Sequence, residues 1–346
     1  MKSTLANEIW VLGEARPSGE LHAVVYELAA RARELADDLA SFSGEPHAVH
    51  VLLILDAAAA PAEAESVGWY GADRAMTIYG ERLPFDRAAC AKILAHLGRE
   101  RRPKIVIAPA TAFGRSVMPY AAALLETGLT ADCTGLSIDC ESGLLLQTRP
   151  AIGGNIMATI RTPAHMPQMA TVRPRTFRIP EPDKRRAAVV TEVELPKGLI
   201  KNTVRTVAFD AFTDDESALQ EKEVVVSGGK GLRKAEGFEL IARLASLLDA
   251  GVGASRPVVE MKWIGYPHQV GLSGQVVSPK VYIAAGISGT VQHLAGMQTS
   301  GKIVAINRDP DALIFNVADV ALCGDLYEII PLLIERIEAR KGGAGR

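Results

Sequence analysis

The first half of the chain alternates short apolar runs with amphipathic stretches of helical period, a pattern typical of a layered α/β domain. The predicted strands are Glu8–Gly13, Val49–Leu55, Arg74–Ile78 and Lys104–Ala108. The predicted helices are Leu21–Phe42, Asp86–Arg99 and Arg115–Glu126, with a turn over Pro109–Gly114 before the last of them. Only His50 interrupts the apolar run Val49–Leu55. Such runs are typical of parallel strands covered on both faces, so we expect a mostly parallel sheet.

The middle of the chain changes character twice. Residues 133–172 have more β character, and Gly153-Gly154-Asn155 predicts a tight turn. Residues 173–186 are rich in proline and basic residues, which favours an exposed connector, and Val189–Leu195 predicts the strand that closes the first domain. A polar, acidic stretch follows. We therefore expect an N-terminal domain over 1–200, a connector over 201–221 and a second domain over 222–346.

The second domain repeats the α/β rhythm more clearly. Its predicted strands are Glu223–Val226, Val281–Ala285, Ile303–Ile306 and Val317–Leu322. Its predicted helices are Ala235–Leu248, Thr290–Ala295 and Leu326–Ala339. Two glycine-rich turns, Ser227–Gly231 and Gly286–Gly289, follow the first two strands, and the segments around Gly253 and Gly271 are expected to be loops at the carboxyl edge. This order predicts a Rossmann-like parallel sheet with right-handed crossovers.

Composition and charge exclude several classes of function. With 346 residues, the chain is longer than one hydrophobic core usually serves, which agrees with two domains. A formal net charge of −2 provides no basic excess for binding nucleic acid. No apolar run is long enough to span a bilayer, and the N-terminus lacks the apolar stretch of a signal peptide. We therefore expect a cytoplasmic protein without a transmembrane segment.

Metal and thiol chemistry are not indicated either. Four cysteines occur without any CxxC pair, and we expect them to be reduced: Cys90, Cys133, Cys140 and Cys323. His47 and His50 lack further ligands at a metal-binding spacing. Ser116 is not in a GxSxG motif, and no two carboxylates form an obvious acid–base pair. We expect neither a metal site nor catalytic residues.

The two glycine-rich turns are the strongest chemical signal. Glycine lets a backbone approach a phosphate closely, and the helix start behind each turn offers unpaired N–H groups. Lys230 adds a point charge to the first turn. One such turn is equally consistent with a purely structural role, but two in one domain favour a dinucleotide-like ligand. The second turn is not GxGxxG, and the next strand leads to Asn307 instead of the carboxylate that selects an NAD ribose.

Three further residues have both a chemical and a structural interpretation. Arg256 is a permanent cation with a planar fork, although an arginine in such a loop commonly forms a surface ion pair. Ser273 can donate a hydrogen bond to a ligand nitrogen or stabilise its own turn. His293 lies in the helix after the second turn, where a satisfied structural histidine is the usual case.

Several sequence blocks resemble one known family. In the second domain these blocks are VVSGGKGL, GASRPVVEMKW, QVGLSG, SPKVYIAAGISGTVQHLAGM, IVAINRDPDALIF and VADVALCGDL. In the first domain they are TGLTADCT, RPAIGGN and MATVRP. Together they resemble the electron transfer flavoprotein α subunit over essentially the whole chain. The resemblance implies one FAD in the second domain, a homologous β subunit as partner, and a second FAD or AMP in that β subunit.

The resemblance also implies which residues bind the cofactor. It places Ser273 at flavin N5, His293 near the O2 edge, and Asn307 at the nucleotide end. Arg256 beside the flavin would favour negative charge on N1 and O2. The complete set of candidate residues is Lys230, Ser255, Arg256, Val270, Gly271, Leu272, Ser273, Gly286, Ile287, Ser288, Gly289, Thr290, Val291, Gln292, His293, Asn307, Asp325 and Leu326.

Two positions depart from the family pattern. Lys230 replaces the arginine common in the family, which removes a bidentate fork. Leu272-Ser273 replaces the common Gln-Thr pair. Serine keeps the hydroxyl that can bond to N5, but without the methyl group its rotamer is less restrained. The contact of a glutamine side chain is lost at Leu272.

The resemblance implies an electron carrier that works between flavoprotein dehydrogenases, such as acyl-CoA dehydrogenases, and a downstream acceptor. Two subclasses remain open: a simple carrier, and an electron-bifurcating complex in which a second FAD in the β subunit takes hydride from NADH. We expect the N-terminal domain to pack on the β subunit without a ligand of its own. An NAD-dependent oxidoreductase on a related Rossmann-like domain is the alternative, and a nucleotide-binding regulatory module is a third.

Overall fold

The computed structural model describes residues 7–16, 18–57, 63–151, 156–200 and 218–343. The chain forms two compact units, Met1–Phe209 and Asp210–Arg346. The predicted turn at 153–155 and most of the predicted connector at 201–221 lie outside the described residues. The domain limits expected from the sequence therefore remain our proposal.

The N-terminal unit contains a seven-stranded parallel sheet and a small antiparallel sheet. Its strands are β1 (Glu8–Leu12), β2 (Ala48–Asp56), β3 (Arg74–Gly80), β4 (Ile105–Pro109), β5 (Leu129–Cys133), β6 (Gly135–Ile138), β7 (Leu145–Pro150), β8 (Met157–Ile160), β9 (Gln168–Val172) and β10 (Val189–Glu192). Its helices are α1 (Ala23–Ser43), α2 (Arg87–Arg101) and α3 (Ala112–Leu125). The parallel sheet has the order β10-β3-β2-β1-β4-β9-β5, and β6-β7-β8 form the antiparallel sheet.

Both faces of the large sheet are covered, which explains the nearly continuous apolar strands. Along β1, Ile9 and Val11 pack in one core cluster with α1, whereas Trp10 and Leu12 pack in the other with α2 and α3. All four side chains are fully buried. The polar exception, His50, is also buried, and its Nδ1 lies 3.4 Å from the Glu8 carboxylate. The predicted α/β class with a mostly parallel sheet is confirmed.

Two predictions in this unit were wrong in detail. Helix α3 begins inside the predicted turn because the Thr111 hydroxyl accepts a hydrogen bond from Gly114 N at 3.2 Å and caps the helix. The segment 173–186 is not simply an exposed connector. The backbone N–H groups of Arg175 and Phe177 donate to the buried Glu27 carboxylate of α1 at 2.8 and 2.9 Å, and this ties the segment to its own unit.

The C-terminal unit is a five-stranded parallel sheet. Its strands are β11 (Val224–Gly228), β12 (Gly251–Ala254), β13 (Val281–Ala285), β14 (Lys302–Asn307) and β15 (Val320–Cys323). Its helices are α4 (Gly237–Leu247), α5 (Arg256–Glu260), α6 (Val291–Leu294) and α7 (Leu326–Gly343). The order β12-β11-β13-β14-β15 is a doubly wound arrangement whose switch point lies between β11 and β13.

Strand β12 and helix α5 were not predicted, because their segments were expected to be loops. Gly251–Ala254 lacks the branched apolar residues that identify a strand, but its small residues have a packing reason. A Cβ atom on Gly253 would lie 2.1 Å from the Ser227 Oγ of the neighbouring strand. Glycine therefore permits the close pairing of β12 with β11, and Ser255 and Arg256 follow directly at the carboxyl edge. None of the described helices is long and apolar enough to cross a membrane.

Candidate functional site

The two glycine-rich turns meet at the switch point of the C-terminal sheet. Gly229 N donates to Ala285 O and Gly231 N donates to Gly286 O, both at 2.9 Å. A Cβ atom on Gly229 would lie 2.4 Å from the Gly286 carbonyl oxygen, so a side chain cannot fit between the turns. Ligands of open α/β sheets bind in the crevice outside the carboxyl ends of the strands at this point.

A cleft of about 610 Å³ opens at this crevice, within the range of small-molecule sites. Most of the residues predicted from the sequence line it: Lys230, Ser255, Arg256, Val270, Gly271, Leu272, Ser273, Gly286, Ile287, Ser288, Thr290, Gln292, His293 and Asn307. Three other lining residues were not predicted, namely Pro257, Glu260 and Asp309, and Gly231 lines the cleft as part of the predicted glycine turn. The structure thus brings together segments that are far apart in the sequence.

Four predicted residues lie outside the cleft wall. Gly289 packs on the backbone of Ile314, and Val291 is half exposed. The Asp325 carboxylate accepts hydrogen bonds from Tyr327 N at 2.9 Å and from Arg233 at 3.1 Å. Leu326 is buried in the core between α4 and α7. The structure therefore gives these four residues packing or turn contacts, and their predicted cofactor contacts remain predictions.

Two cations line the cleft. Arg256 Nε lies 2.7 Å from Glu260 Oε1, one turn further along α5, and both side chains are more than half exposed. Such an exposed ion pair contributes less than about 1 kcal/mol to stability, so Arg256 can exchange the Glu260 carboxylate for another anion. The spacing of four residues could have revealed Glu260 in the sequence. Lys230 is exposed and has no ion-pair partner within the described parts of the chain.

The loop that carries Ser273 is held by backbone and side-chain bonds. Val270 N donates to Ala254 O at 2.9 Å, and Leu272 N donates to Gln292 O at 2.8 Å. The buried Gln269 amide donates to Ser273 Oγ at 3.1 Å. Because the hydroxyl oxygen accepts this bond, its proton remains available to an acceptor in the cleft. Gln269 was not predicted, and only its burial in the folded loop reveals it.

His293 is turned into the protein. Its Nε2 lies 3.0 Å from the hydroxyl oxygen of Tyr282, which is fully buried on β13. Its Nδ1 is buried and makes no hydrogen bond of ordinary geometry within the described residues, although the nearby Val270 backbone favours the charged ring. Burial lowers the pKa of His293 to about 4 and raises the pKa of Tyr282, so both groups are neutral at pH 7. The predicted contact of His293 with a flavin edge remains a prediction, and Tyr282 was missed because the pair depends on tertiary structure.

Asn307 fastens the second glycine turn to the end of β14. Its Nδ2 donates to Ile287 O at 2.9 Å, and its Oδ1 accepts from Asp309 N at 3.0 Å. A carboxylate at this position could not donate to the Ile287 carbonyl. The structure therefore explains the amide at position 307 by its bond to the turn. The amide also stands where a carboxylate would recognise an NAD ribose.

The arrangement of the cleft suits binding and charge stabilisation. It contains donors and cations, but no nucleophile paired with a base. Among the described residues, no group of three or more His, Cys, Asp or Glu side chains could hold a metal ion. A second cavity, in the N-terminal unit, has about 200 Å³ and is smaller than typical ligand sites.

Comparison with known proteins identifies both units. The model of the electron transfer flavoprotein domain matches residues 9–197, and the model of the electron transfer flavoprotein FAD-binding domain matches residues 218–298. The electron transfer flavoprotein subunit alpha of Thermoanaerobacterium thermosaccharolyticum is 42% identical over 96% of this chain and 98% of its own length.

Two further relatives carry other names. Protein FixB of Clostridium saccharobutylicum is 40% identical over 94% of this chain and 95% of its own length. The acryloyl-CoA reductase electron transfer subunit beta of Anaerotignum propionicum is 36% identical over 96% of each chain. The family of the second unit supports flavin binding, and the relatives imply a β subunit as partner. The chain belongs to the electron transfer flavoprotein α subunit family.

Proposed function

We propose that this chain holds one FAD in its C-terminal cleft and transfers electrons as part of a heterodimer with a β subunit. The observation that carries the proposal is the convergence of both glycine turns, Lys230, Arg256 and Ser273 on one cleft of about 610 Å³. That cleft lies in the unit matched by the FAD-binding family model. The geometry fits a dinucleotide, because backbone turns, cations and a free hydroxyl proton surround a space of suitable size.

Bound FAD would supply one- and two-electron redox chemistry, and the chain would supply position and charge. The turn at Gly286 and the start of α6 would hold the pyrophosphate, with Lys230 as an additional cation. Arg256 would stabilise negative charge at N1 and O2 of the ring. Ser273 would donate its proton to N5. In each case a group already fixed in the protein would meet charge on the ligand, so little reorganisation is required.

The physiological donors and acceptors belong to the same proposal. One relative is named as an electron transfer subunit of acryloyl-CoA reductase, which supports an acyl-CoA-type flavoprotein as partner of this chain. The FixB relatives and this name also favour a bifurcating complex, with a second FAD in the β subunit and NADH as donor. A simple carrier would contain AMP in the β subunit instead. We place both partners and the complex in the cytoplasm.

Cofactor analysis of the co-expressed αβ complex tests this proposal. A yellow complex with at least one FAD is expected, and a colourless complex without FAD would contradict the proposal. Two FAD per heterodimer favour bifurcation, whereas one FAD and one AMP favour the simple carrier. Hydride transfer from NADH by this chain alone, without a β subunit, would support the NAD-dependent alternative. Asn307 makes that outcome unexpected, because it lacks the carboxylate that binds an NAD ribose.

A further inference from the structure

Three arginines lie close enough to interact electrostatically at the carboxyl edge of the N-terminal sheet. Arg173 directly follows β9, and its backbone N donates to Cys133 O at 3.0 Å. Arg115 lies on α3, and its Nε and Nη2 each lie 3.1 Å from Asp132 Oδ1. Arg149 lies on β7 next to Thr148, and the carbonyl oxygen of Thr148 accepts a hydrogen bond from Thr134 N. We call Arg115, Asp132, Thr134, Arg149 and Arg173 the Arg173 cluster.

Arg173 itself is buried without a partner. Only 7% of the residue is exposed, yet its Nε and Nη1 have no hydrogen-bond acceptor in the described parts of the chain. Burial lowers the pKa of Arg173, and the charges of Arg115 and Arg149 lower it further, whereas Asp132 opposes the change. Guanidinium nevertheless stays charged in proteins. A buried, unpaired charge is costly, so an acceptor is expected beside it.

The rest of the cluster also offers donors in excess. Arg173 interacts electrostatically with two other guanidinium groups, those of Arg115 and Arg149, and with one carboxylate, Asp132, which Arg115 already binds. Thr134 Oγ1 is also buried, and it has no hydrogen-bond partner among the residues that the structure describes. Water alone would satisfy the donors but would not balance the surplus positive charge. Planar guanidinium groups match the geometry of carboxylates and phosphates, which accept two parallel hydrogen bonds.

We propose that the Arg173 cluster is an oxyanion-binding site that takes a carboxylate or phosphate group. The oxyanion has two sources: a free anion, or an acidic side chain of the β subunit. The second source rests on the heterodimer proposed above, whereas the site itself does not depend on FAD. No residue of this cluster lines the cleft of the C-terminal unit.

Sulfate binding to the isolated full-length chain tests the site. At constant ionic strength, replacing chloride by sulfate should raise the thermal midpoint saturably, by roughly 2 to 4 °C. Arg173→Met should abolish the saturable part. Arg149→Met, which removes a partly exposed member of the cluster, should lower the sulfate affinity several-fold. The matched control is Arg185→Met, because Arg185 is exposed in the same unit and bonds only to Asp183 among the described residues.

The same titration on the αβ complex identifies the source. A sulfate response that persists in the complex indicates a free anion. A response that disappears in the complex, with an about tenfold or larger rise in the αβ dissociation constant for Arg173→Met, indicates a partner carboxylate. The proposal is overturned if wild type and Arg173→Met respond equally to sulfate and form the complex with equal affinity. That result would leave the FAD proposal intact, since FAD content is measured separately.

Discussion

The two units share an architecture and differ at the point where a ligand would bind. In the N-terminal unit the switch point lies between β1 and β4, and the Glu14 carboxylate after β1 accepts a hydrogen bond of 2.6 Å from Thr111 after β4. In the C-terminal unit, Gly229 and Gly286 bring two bare backbones together at the equivalent place. Side chains bridge the N-terminal crevice, whose cavity has about 200 Å³. The C-terminal crevice opens into the cleft of about 610 Å³, which is about three times larger.

In both units the parallel sheet creates a crevice, and the turns beside it determine whether a ligand can bind there. A turn with side chains satisfies its own polar groups and fills the space. A glycine turn leaves backbone N–H groups and room for a ligand.

The largest effect is expected from Gly229→Val. Its Cβ would lie 2.4 Å from Gly286 O, so the two turns must separate. Overpacking of this kind costs about 1 to 3 kcal/mol, and FAD should be lost from the complex. Urea unfolding and flavin extraction measure the two effects. The control is Gly265→Ala, where the nearest atom to the new methyl group lies at 3.5 Å. Equal FAD content in both variants would contradict the role of the turns.

A pH effect is expected from His293. Its folded pKa of about 4 lies below the ordinary value of 6.5, so the unfolded state binds a proton first as the pH falls. The contribution of His293 to the free energy of unfolding is fully present above pH 6.5. It decreases by up to about 3 kcal/mol as the pH falls from 6.5 to 4. Urea unfolding at several pH values should therefore show that the free energy of unfolding changes less with pH in His293→Asn than in the wild type. The control is Val291→Ala, an exposed position without a titratable group on the same helix, which should retain the wild-type pH dependence.

Tyr282→Phe should destabilise the C-terminal unit by about 1 to 3 kcal/mol, because it leaves His293 Nε2 buried without a partner. Tyr266→Phe is the control, since that side chain is exposed and its hydroxyl bonds only to the Ser273 carbonyl among the described residues. Urea unfolding distinguishes them. If Tyr282 also fixes the position of His293 beside bound flavin, the flavin potential should shift in Tyr282→Phe alone. Identical unfolding curves would show that the buried pair contributes nothing.

In the N-terminal unit, Glu14→Gln should cost only about 1 kcal/mol, because a neutral acceptor replaces the carboxylate bonded to Thr111. It should not change the FAD content of the complex. Thermal unfolding and flavin extraction check both expectations. Loss of FAD from this variant would show that the N-terminal crevice takes part in cofactor binding, contrary to its interpretation as a scaffold.

The smallest effect on the protein is expected from Lys230→Arg. Lys230 is exposed and has no ion pair in the described residues, so its stability should change by less than about 0.5 kcal/mol. The bidentate fork common in the family should instead bind FAD phosphate several-fold more tightly. Lys230→Gln should weaken FAD binding. Fluorescence titration of the apo complex measures both, and equal affinities in the three proteins would remove Lys230 from the site.

The sequence predicted those parts of the molecule that depend on local pattern. Strand β13 has the predicted limits, Val281–Ala285, because its apolar run is bounded by a glycine turn. Strand β12 was missed because the reason for its glycines lies on the neighbouring strand. The Tyr282–His293 pair and the Glu14–Thr111 bridge join elements that only the strand order brings together. The convergence of the glycine turns on one cleft was therefore predictable, whereas the groups that support or close those turns were not.

Hydrogen–deuterium exchange of the apo αβ complex, measured with and without added FAD, shows directly which of the two crevices binds the cofactor. It follows the backbone N–H groups of both pairs of turns in one experiment. We expect FAD-dependent protection of residues 229–232 and 286–293, and unchanged exchange of residues 13–16 and 110–114. Protection confined to the N-terminal turns, or no protection in the C-terminal turns of a complex that binds FAD, would contradict this expectation.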